Sequence, residues 1–293
     1  MRLSLDKYAV QIIVITLTAI IGTFVVAYVG YVLIENEFPE SFFSIWDVWD
    51  TGHYTDIVTY GYSNSDLQEN HFLIAFLPLY PYLMKIFSYI FQDSVLSGLF
   101  ISNISYIVAA FYLYKLVELD FEKDDALRAV VYFSIFPTAY FLHAAYTESL
   151  FLALTISSFY YARKGSWAAA GIIGIFVTMT RLNGILLPPI LLLEYLVQKE
   201  FKKENIKKDI LWIFLSAIGF GVYLAINYSN YGSPFHFFGT QKEFWTMELG
   251  LPSKGFLYSF YMSQYPIAKY VITNSYSQIF FTMLAFLLII YCF

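Results

Sequence analysis

Residues 8–34 read YAVQIIVITLTAIIGTFVVAYVGYVLI. The run carries no charge, and crossing a bilayer as a helix takes about 20 residues. Apolar side chains fill every face of it instead of alternating, which suits a helix and not a barrel strand. Outward from it the same character recurs: 59% of the 293 residues are hydrophobic, 21% aromatic and only 13% charged. Mean hydropathy is +0.60, and soluble domains carry about 25% charged residues. Further apolar runs lie at Val95–Val117, Leu127–Ala145, Leu150–Ala162, Ala168–Thr180, Ile185–Val197, Ile210–Tyr228 and Tyr276–Phe293. The expected fold is all-α, a polytopic membrane helix bundle of about eight transmembrane helices in a single domain, 1–293. Met1–Lys7 resembles a signal-peptide start. The run behind it is too long for a signal h-region and lacks a small-residue cleavage site, so it reads as a retained first helix.

Charge sets the orientation. No Lys or Arg occurs between Tyr8 and Met84, while Glu35, Glu37, Glu40, Asp47, Asp50, Asp56, Asp66 and Glu69 crowd the stretch after the first run. Basic residues mark cytoplasmic loops, so residues 35–94 form an extracytoplasmic first loop. If every run crossed, Lys199, Lys202, Lys203, Lys207 and Lys208 would fall outside, against that rule. Removing one crossing brings them inside. The segment to remove is His71–Phe91, because Pro78 and Pro81 interrupt it and proline disfavours a helix interior. It is expected to dip into the outer leaflet without spanning. A second long outer loop covers 229–275.

With that correction four polar islands share the outer face. Trp46-Asp47-Val48-Trp49-Asp50-Thr51-Gly52-His53-Tyr54-Thr55-Asp56 sits at the mouth of the first helix. Its tryptophans suit an interfacial belt. Its carboxylates are costly near hydrocarbon and point to function, against the plainer reading of an acidic capping loop. Asp50 and His53 are three apart, on one face of a helix, with Asp56 another turn on. Tyr146-Thr147-Glu148 reads either as a helix cap or as a second acidic group facing the first loop. Arg181, in Thr180-Arg181-Leu182-Asn183-Gly184, reads either as a snorkelling arginine or as a phosphate ligand, to which a guanidinium fork is matched. The stretch Tyr231–Trp245, with Gly232-Ser233-Pro234 as a turn, either lies on lipid or lines a groove; His236 alone is a weak signal.

A phosphate-binding Gly-x-x-x-x-Gly-Lys loop, a His-Glu-x-x-His zinc motif and a Gly-x-Ser-x-Gly elbow are all missing from the sequence. A net charge of −5 with no basic patch argues against nucleic acid. The single cysteine, Cys292, forms no internal disulfide and no cysteine zinc site.

The residues do resemble a family. Trp49-Asp50, His53-Tyr54, Gly61-Tyr62, Phe76-Leu77-Pro78-Leu79-Tyr80-Pro81, Phe136-Pro137-Thr138-Ala139, Tyr146-Thr147-Glu148-Ser149-Leu150-Phe151, Thr180–Gly184 and Tyr231–Phe235 run in the order seen in PIG-V-type mannosyltransferases, of the GT-C class. These landmarks cover about residues 46–245. Two departures are Ser233, where the family more often has Asp, and Leu182-Asn183, where it more often has Pro. The end inside an apolar run reads as a truncated or minimal member.

The resemblance implies a GT-C bundle with outer-leaflet juxtamembrane helices in the first loop. It implies an inverting transfer of a hexose, mannose above all, from a polyprenyl-phosphate donor such as dolichyl-phosphate mannose. The acceptor would be a glycan or glycolipid, lipid-linked or protein-linked, met on the extracytoplasmic face of a plasma or ER membrane. Membrane lipids surround it, a membrane partner subunit is compatible, and no cofactor or metal is called for. Asp50 maps onto the catalytic base. Beside it, Trp49, His53, Tyr54, Asp56, Tyr80, Tyr146, Glu148, Arg181, His236, Gln241 and Trp245 are the candidate substrate contacts, with His71–Phe91 and Tyr231–Trp245 expected to form a lipid-side groove. Two other classes fit the composition: a small-solute or lipid transporter, and a non-catalytic membrane subunit. A transporter tends to hold its charges near the midplane between paired halves, and neither feature is evident.

Overall fold

The computed structural model describes residues 7–62, 71–245 and 252–263, with scattered positions between 276 and 290. Every regular element among them is helical. The chain divides into two compact units, Met1–Thr240 and Gln241–Phe293.

Helix α1 (Lys7–Glu35) buries only Ile12 and Thr16. One side, with Tyr8, Ile15, Ala19, Ile20 and Phe24, packs on neighbouring elements, and the other, with Val14, Ile21, Val25 and Val26, is apolar and exposed, as in a helix solvated by lipid. At 1.5 Å per residue it is about 43 Å long. A 3-10 turn at Ser44–Trp46 leads into α2 (Asp50–Tyr60), and a second at His71–Ala75 into α3 (Leu79–Phe91). Pro78 is the N-cap of α3 and Pro81 falls in its first turn, where a missing N–H costs no helical hydrogen bond. The prolines therefore start this helix and do not interrupt it. Thirteen residues rise only about 20 Å, against a hydrocarbon core of about 30 Å. One face, with Tyr80, Pro81 and Met84, is buried; Tyr82, Ile86, Tyr89 and Ile90 stand outside.

Helix α4 (Ser94–Val117) is the hub, capped by the Asp93 carboxylate, which accepts from the Leu96 N–H. It packs on α7 and on α3 and α5, and also touches α1, α2 and α6. The run Leu127–Ala145, expected as one span, is broken. Helix α5 (Lys123–Ile135) stops where Phe136 turns extended (φ −59°, ψ 141°), the conformation forced on a residue before proline. A single turn, α6 (Tyr140–His143), follows. Asn103 of α4 ties it down, donating to the His143 carbonyl at 3.1 Å and meeting His143 Nδ1 at 3.0 Å.

Next come α7 (Glu148–Arg163), α8 (Trp167–Thr180), a 3-10 turn (Leu182–Leu186), α9 (Leu187–Gln198), α10 (Leu211–Leu215) and α11 (Ala217–Tyr231). Among the described residues, three segments are long and apolar enough to cross a membrane on length and composition: Lys7–Glu35, Ser94–Val117 and Lys208–Tyr231. Helix α8 crosses α11 closely. A Cβ on Gly219 would stand 1.9 Å from the Ile175 carbonyl oxygen, so only glycine fits. Thr178 seals the crossing by donating to the Ser216 carbonyl at 2.6 Å.

Helix α12 (His236–Trp245) begins in the first unit, and α13 (Pro252–Ser263) lies in the second. The final run, Tyr276–Phe293, lies mostly outside the described residues.

Candidate active site

Trp46 is buried, stacked on Tyr140 with ring centroids 5.4 Å apart and edge-on to Phe24. This pins the chain just before the acidic cluster. Trp49 then takes φ 52°, ψ −123°, a left-handed conformation rare for a bulky residue and costly by about 1–3 kcal/mol. The kink opens α2 directly at Asp50, in its first turn, where a helix N-terminus favours a negative charge. Trp49 itself is largely exposed, its ring 6.5 Å from Phe141.

Arg181 closes α8 in extended geometry and turns back toward the start of α7. Its Nη1 donates to Thr147 Oγ1 at 2.8 Å and to Glu148 Oε1 at 2.6 Å. The turn after it needs Gly184, whose Cβ would meet the Val177 carbonyl at 2.6 Å. Thr147 is the N-cap residue of α7 but makes no side-chain cap bond; its hydroxyl serves the guanidinium instead. The capping reading of Thr147-Glu148 thus gives way to an ion pair between α7 and α8.

Asp50 lies within electrostatic reach of this pair. Crowding by protein raises its carboxyl pKa above the ordinary value of 3.8, the His53 side chain lowers it, Glu148 raises it and Arg181 lowers it. Asp50 is also exposed to water, so solvent screens these effects; the upward direction follows from the crowding. His53 lies between Phe72 and Phe76, with centroids at 4.9 and 5.1 Å. It also lies within electrostatic reach of Asp56, whose pKa is raised by partial burial, lowered by His53 and raised by Asp47. Asp50, His53 and Asp56 thus lie along one helix, as the spacing predicts.

Tyr54, Tyr80 and Tyr146 are buried and frame the cluster from beneath. Burial first and the Asp50 charge second push the phenols of Tyr54 and Tyr146 up. The Tyr146 hydroxyl donates to the Val48 carbonyl at 3.1 Å. Tyr80 donates to the Gly98 carbonyl at 2.9 Å and shares a hydrogen with Ser102 at 2.8 Å, and Ser102 in turn donates to the Tyr146 carbonyl at 3.0 Å. That chain ties α3 and α4 to the residue just before Thr147.

His236 is placed elsewhere. It stacks on Tyr231 at 4.2 Å, and the Tyr231 hydroxyl donates to the Tyr62 carbonyl at 3.3 Å, beyond the far end of α2 from Asp50. Gln241 and Trp245 belong to the second compact unit. His71–Phe91 and the start of the Tyr231–Trp245 stretch, expected to form a lipid-side groove, touch at one point. Leu77, Tyr223 and Phe237 form one buried cluster, and the Tyr223 hydroxyl donates to the Ile74 carbonyl at 2.7 Å. Among the described residues no group of three or more His, Cys, Asp or Glu is placed to share a metal ion.

Three segments distant in sequence thus bring a carboxylate, a carboxylate–guanidinium pair and a histidine to one place. A carboxylate can take a proton from a hydroxyl within hydrogen-bond reach. A guanidinium keeps donors on Nε and Nη2 beyond those used on Nη1, which suits an anionic oxygen.

Comparison with known proteins bears on this arrangement. Residues 77–226 match the family described as Dolichyl-phosphate-mannose-protein mannosyltransferase. The matched segment includes Glu148 and Arg181; Asp50 precedes it. GPI mannosyltransferase 2 of Schizosaccharomyces pombe is 27% identical over 157 residues, 52% of this chain and 32% of that protein. GPI mannosyltransferase 2 of Yarrowia lipolytica is 34% identical over 87 residues, 29% of this chain and 24% of that protein. The chain spans about a third or less of the curated relatives it matches. No solved structure matches it.

Proposed function

The chain belongs to the dolichyl-phosphate-mannose-protein mannosyltransferase family, and from that premise we propose that it is a membrane mannosyltransferase using a polyprenyl-phosphate sugar donor at the Asp50–Glu148–Arg181 cluster. The observation that supports the reading is Arg181 held by Thr147 and Glu148, with Asp50, from the first loop, within electrostatic reach of both charges. The acceptor is a lipid-linked or protein-linked glycan, met on the extracytoplasmic face.

Asp50 takes the proton of an acceptor hydroxyl. The freed oxygen attacks the anomeric carbon from the face opposite the phosphate. The bond from that carbon to the phosphate oxygen breaks through an oxocarbenium-like state, with inversion, and polyprenyl phosphate departs. Arg181 neutralises the charge that develops on it, the kind of preorganised electrostatic effect that often dominates catalysis. Phosphate is a competent leaving group, so a second acid is not demanded. Purified protein given radiolabelled polyprenyl-phosphate mannose and a panel of glycolipid acceptors tests this. Transfer is expected, lost in Asp50→Asn and weakened at limiting donor in Arg181→Ala. Full transfer by a well-folded Asp50→Asn protein removes Asp50 from the scheme, and no transfer to any acceptor sinks the reading.

A further inference from the structure

Helix α7 runs from Glu148, beside Arg181, to Arg163, which lies 3.5 Å from Glu194 of α9. The loop that follows α9 therefore stands at the end of the bundle away from the Asp50 cluster. It carries Lys199, Lys202, Lys203, Lys207 and Lys208, and it leads directly into Lys208–Tyr231, a segment long and apolar enough to cross a membrane. Residues that enter such a span stand in the headgroup layer. Neighbouring cations at this end have acidic partners: Lys115 and Lys123 pair with Glu118, Arg128 with Asp125 and Arg163 with Asp120. In the loop, Lys202 pairs with Glu200, and Lys199 sits over the Tyr195 ring at 5.3 Å. Lys203, Lys207 and Lys208 are exposed, and among the described residues none of them forms an ion pair. Of the loop's three acids, Glu200 is taken by Lys202, Asp209 is held by Tyr195, and Glu204 stays open.

The loop is tied down along its length. Buried Tyr195 of α9 donates its hydroxyl hydrogen to Asp209 at 2.6 Å and accepts from the Lys207 N–H at 2.9 Å. Asn205 donates to the Lys199 carbonyl at 3.2 Å. The unpaired lysines are thus held on a fixed backbone, which lowers the cost of ordering them on a ligand. At the loop's start Glu200 and Phe201 both take φ 54°, a left-handed conformation uncommon outside glycine, and Phe201 stands 63% exposed. Leu211 and Trp212 are exposed at its other end. Free lysines flanked by exposed apolar side chains suit a layer that is anionic at its surface and apolar beneath. The first loop, with Glu35, Glu37, Glu40, Asp47 and Asp56, offers such a layer only like charge.

We propose that residues 199–212 bind anionic phospholipid headgroups of the leaflet in which Lys208–Tyr231 begins. Lys203, Lys207 and Lys208 meet the headgroup phosphates, and Phe201 and Trp212 lie at the acyl boundary. The occupant is bilayer lipid and not a soluble phosphate, because the exposed apolar side chains have nothing to offer a soluble anion. A lipid held there anchors α9 and the segment after it at one depth. The site makes no use of Asp50 or Arg181, so it stands or falls apart from sugar transfer.

Full-length protein in phosphatidylcholine nanodiscs is doped with phosphatidylglycerol or phosphatidylcholine carrying the same diazirine near the glycerol, and labelled peptides are mapped. Residues 199–212 are expected to take about tenfold more label from phosphatidylglycerol, and residues 35–62 to show no such preference. The preference should fall to near parity at about 1 M salt, where the Debye length is about 3 Å. Lys203→Gln, Lys207→Gln and Lys208→Gln together should reduce it to about twofold or less. Glu204→Gln, which removes the open acid, should move it the other way, and Arg128→Gln, whose arginine is already paired, should leave it unchanged. All these side chains are exposed, so folding is checked by an unaltered unfolding midpoint. Equal labelling by the two lipids, a preference that survives the triple substitution, or one that Glu204→Gln lowers overturns the proposal. Displacement of the label by millimolar inorganic phosphate also overturns it, since that marks a site for soluble anions.

Discussion

At the scale of residues, Asp50 is held between opposing neighbours, and this has consequences in pH. A base works only when ionised, and Asp50 holds its proton above the ordinary 3.8. The acid limb of the transfer rate is therefore expected above that value. Glu148 pushes this carboxyl up and Arg181 pushes it down. Glu148→Gln should move the limb to lower pH and Arg181→Gln to higher pH, read as rate against pH at saturating donor. Limbs that move together, or stay put, break the electrostatic link. The sign for stability follows from the same shift. The folded state binds the proton more tightly than the unfolded one, so the cost of the charge is absent below 3.8 and full above the raised value. Asp50→Asn should thus leave the thermal midpoint at neutral pH unchanged or higher, while transfer falls by about 100-fold or more. Asp50, Glu148 and Arg181 stood out in the sequence as candidates because charges beside long apolar runs are scarce and costly. Thr147 did not, since a hydroxyl before a helix reads equally well as a cap. Nor could spacing tell that Tyr80 points inward to Gly98 and Ser102 while Trp49 points out.

Elements were legible where one property set them and illegible where two competed. Helix α1 followed from length and hydropathy alone. Leu127–Ala145 has the length of a span, and that concealed the interruption that Phe136-Pro137 imposes. At α3, Pro78 and Pro81 were read as interrupting a span, and they fall at its cap and first turn. Its shortness follows instead from starting so late. The α8–α11 crossing was invisible in the sequence, because a glycine in an apolar run gives no hint of which backbone it admits. It makes a sharp prediction. Gly219→Ala places a methyl against the Ile175 carbonyl, and backbone cannot swing aside as a side chain can. The crossing should loosen at a cost of about 1–3 kcal/mol, read as a lower unfolding midpoint in detergent. Gly221→Ala, one turn-half away with nothing within 4 Å, should be neutral or slightly stabilising, since alanine favours helix. Equal effects at the two positions would mean that the close approach is not what glycine serves.

Across the whole first unit the charges sort to two poles. Arg163, ending α7, pairs with Asp120 just beyond α4 at 2.7 Å and lies 3.5 Å from Glu194 near the end of α9. Lys199, Lys202, Lys203, Lys207 and Lys208 follow α9. Glu148, starting α7, holds Arg181 at the other pole, with Asp50 beside it. Helix α7 separates the poles by about 22 Å at 1.5 Å per residue, less than the roughly 30 Å of hydrocarbon. The positive-inside rule would put the lysine-rich pole at the cytoplasmic interface, and the expected arrangement then has the Asp50 pole near the opposite one. A lipid-borne phosphate could reach it there without leaving its leaflet. The arrangement is tested by single cysteines at the exposed positions Ser41 and Lys203, each in a Cys292→Ser background. In sealed vesicles of one known orientation, a membrane-impermeant maleimide should label one of the two and reach the other only after permeabilisation, with Ser41 on the extracytoplasmic side. Labelling of both from one side would mean that α3 crosses as well, and would leave the acidic cluster facing the same compartment as the lysines.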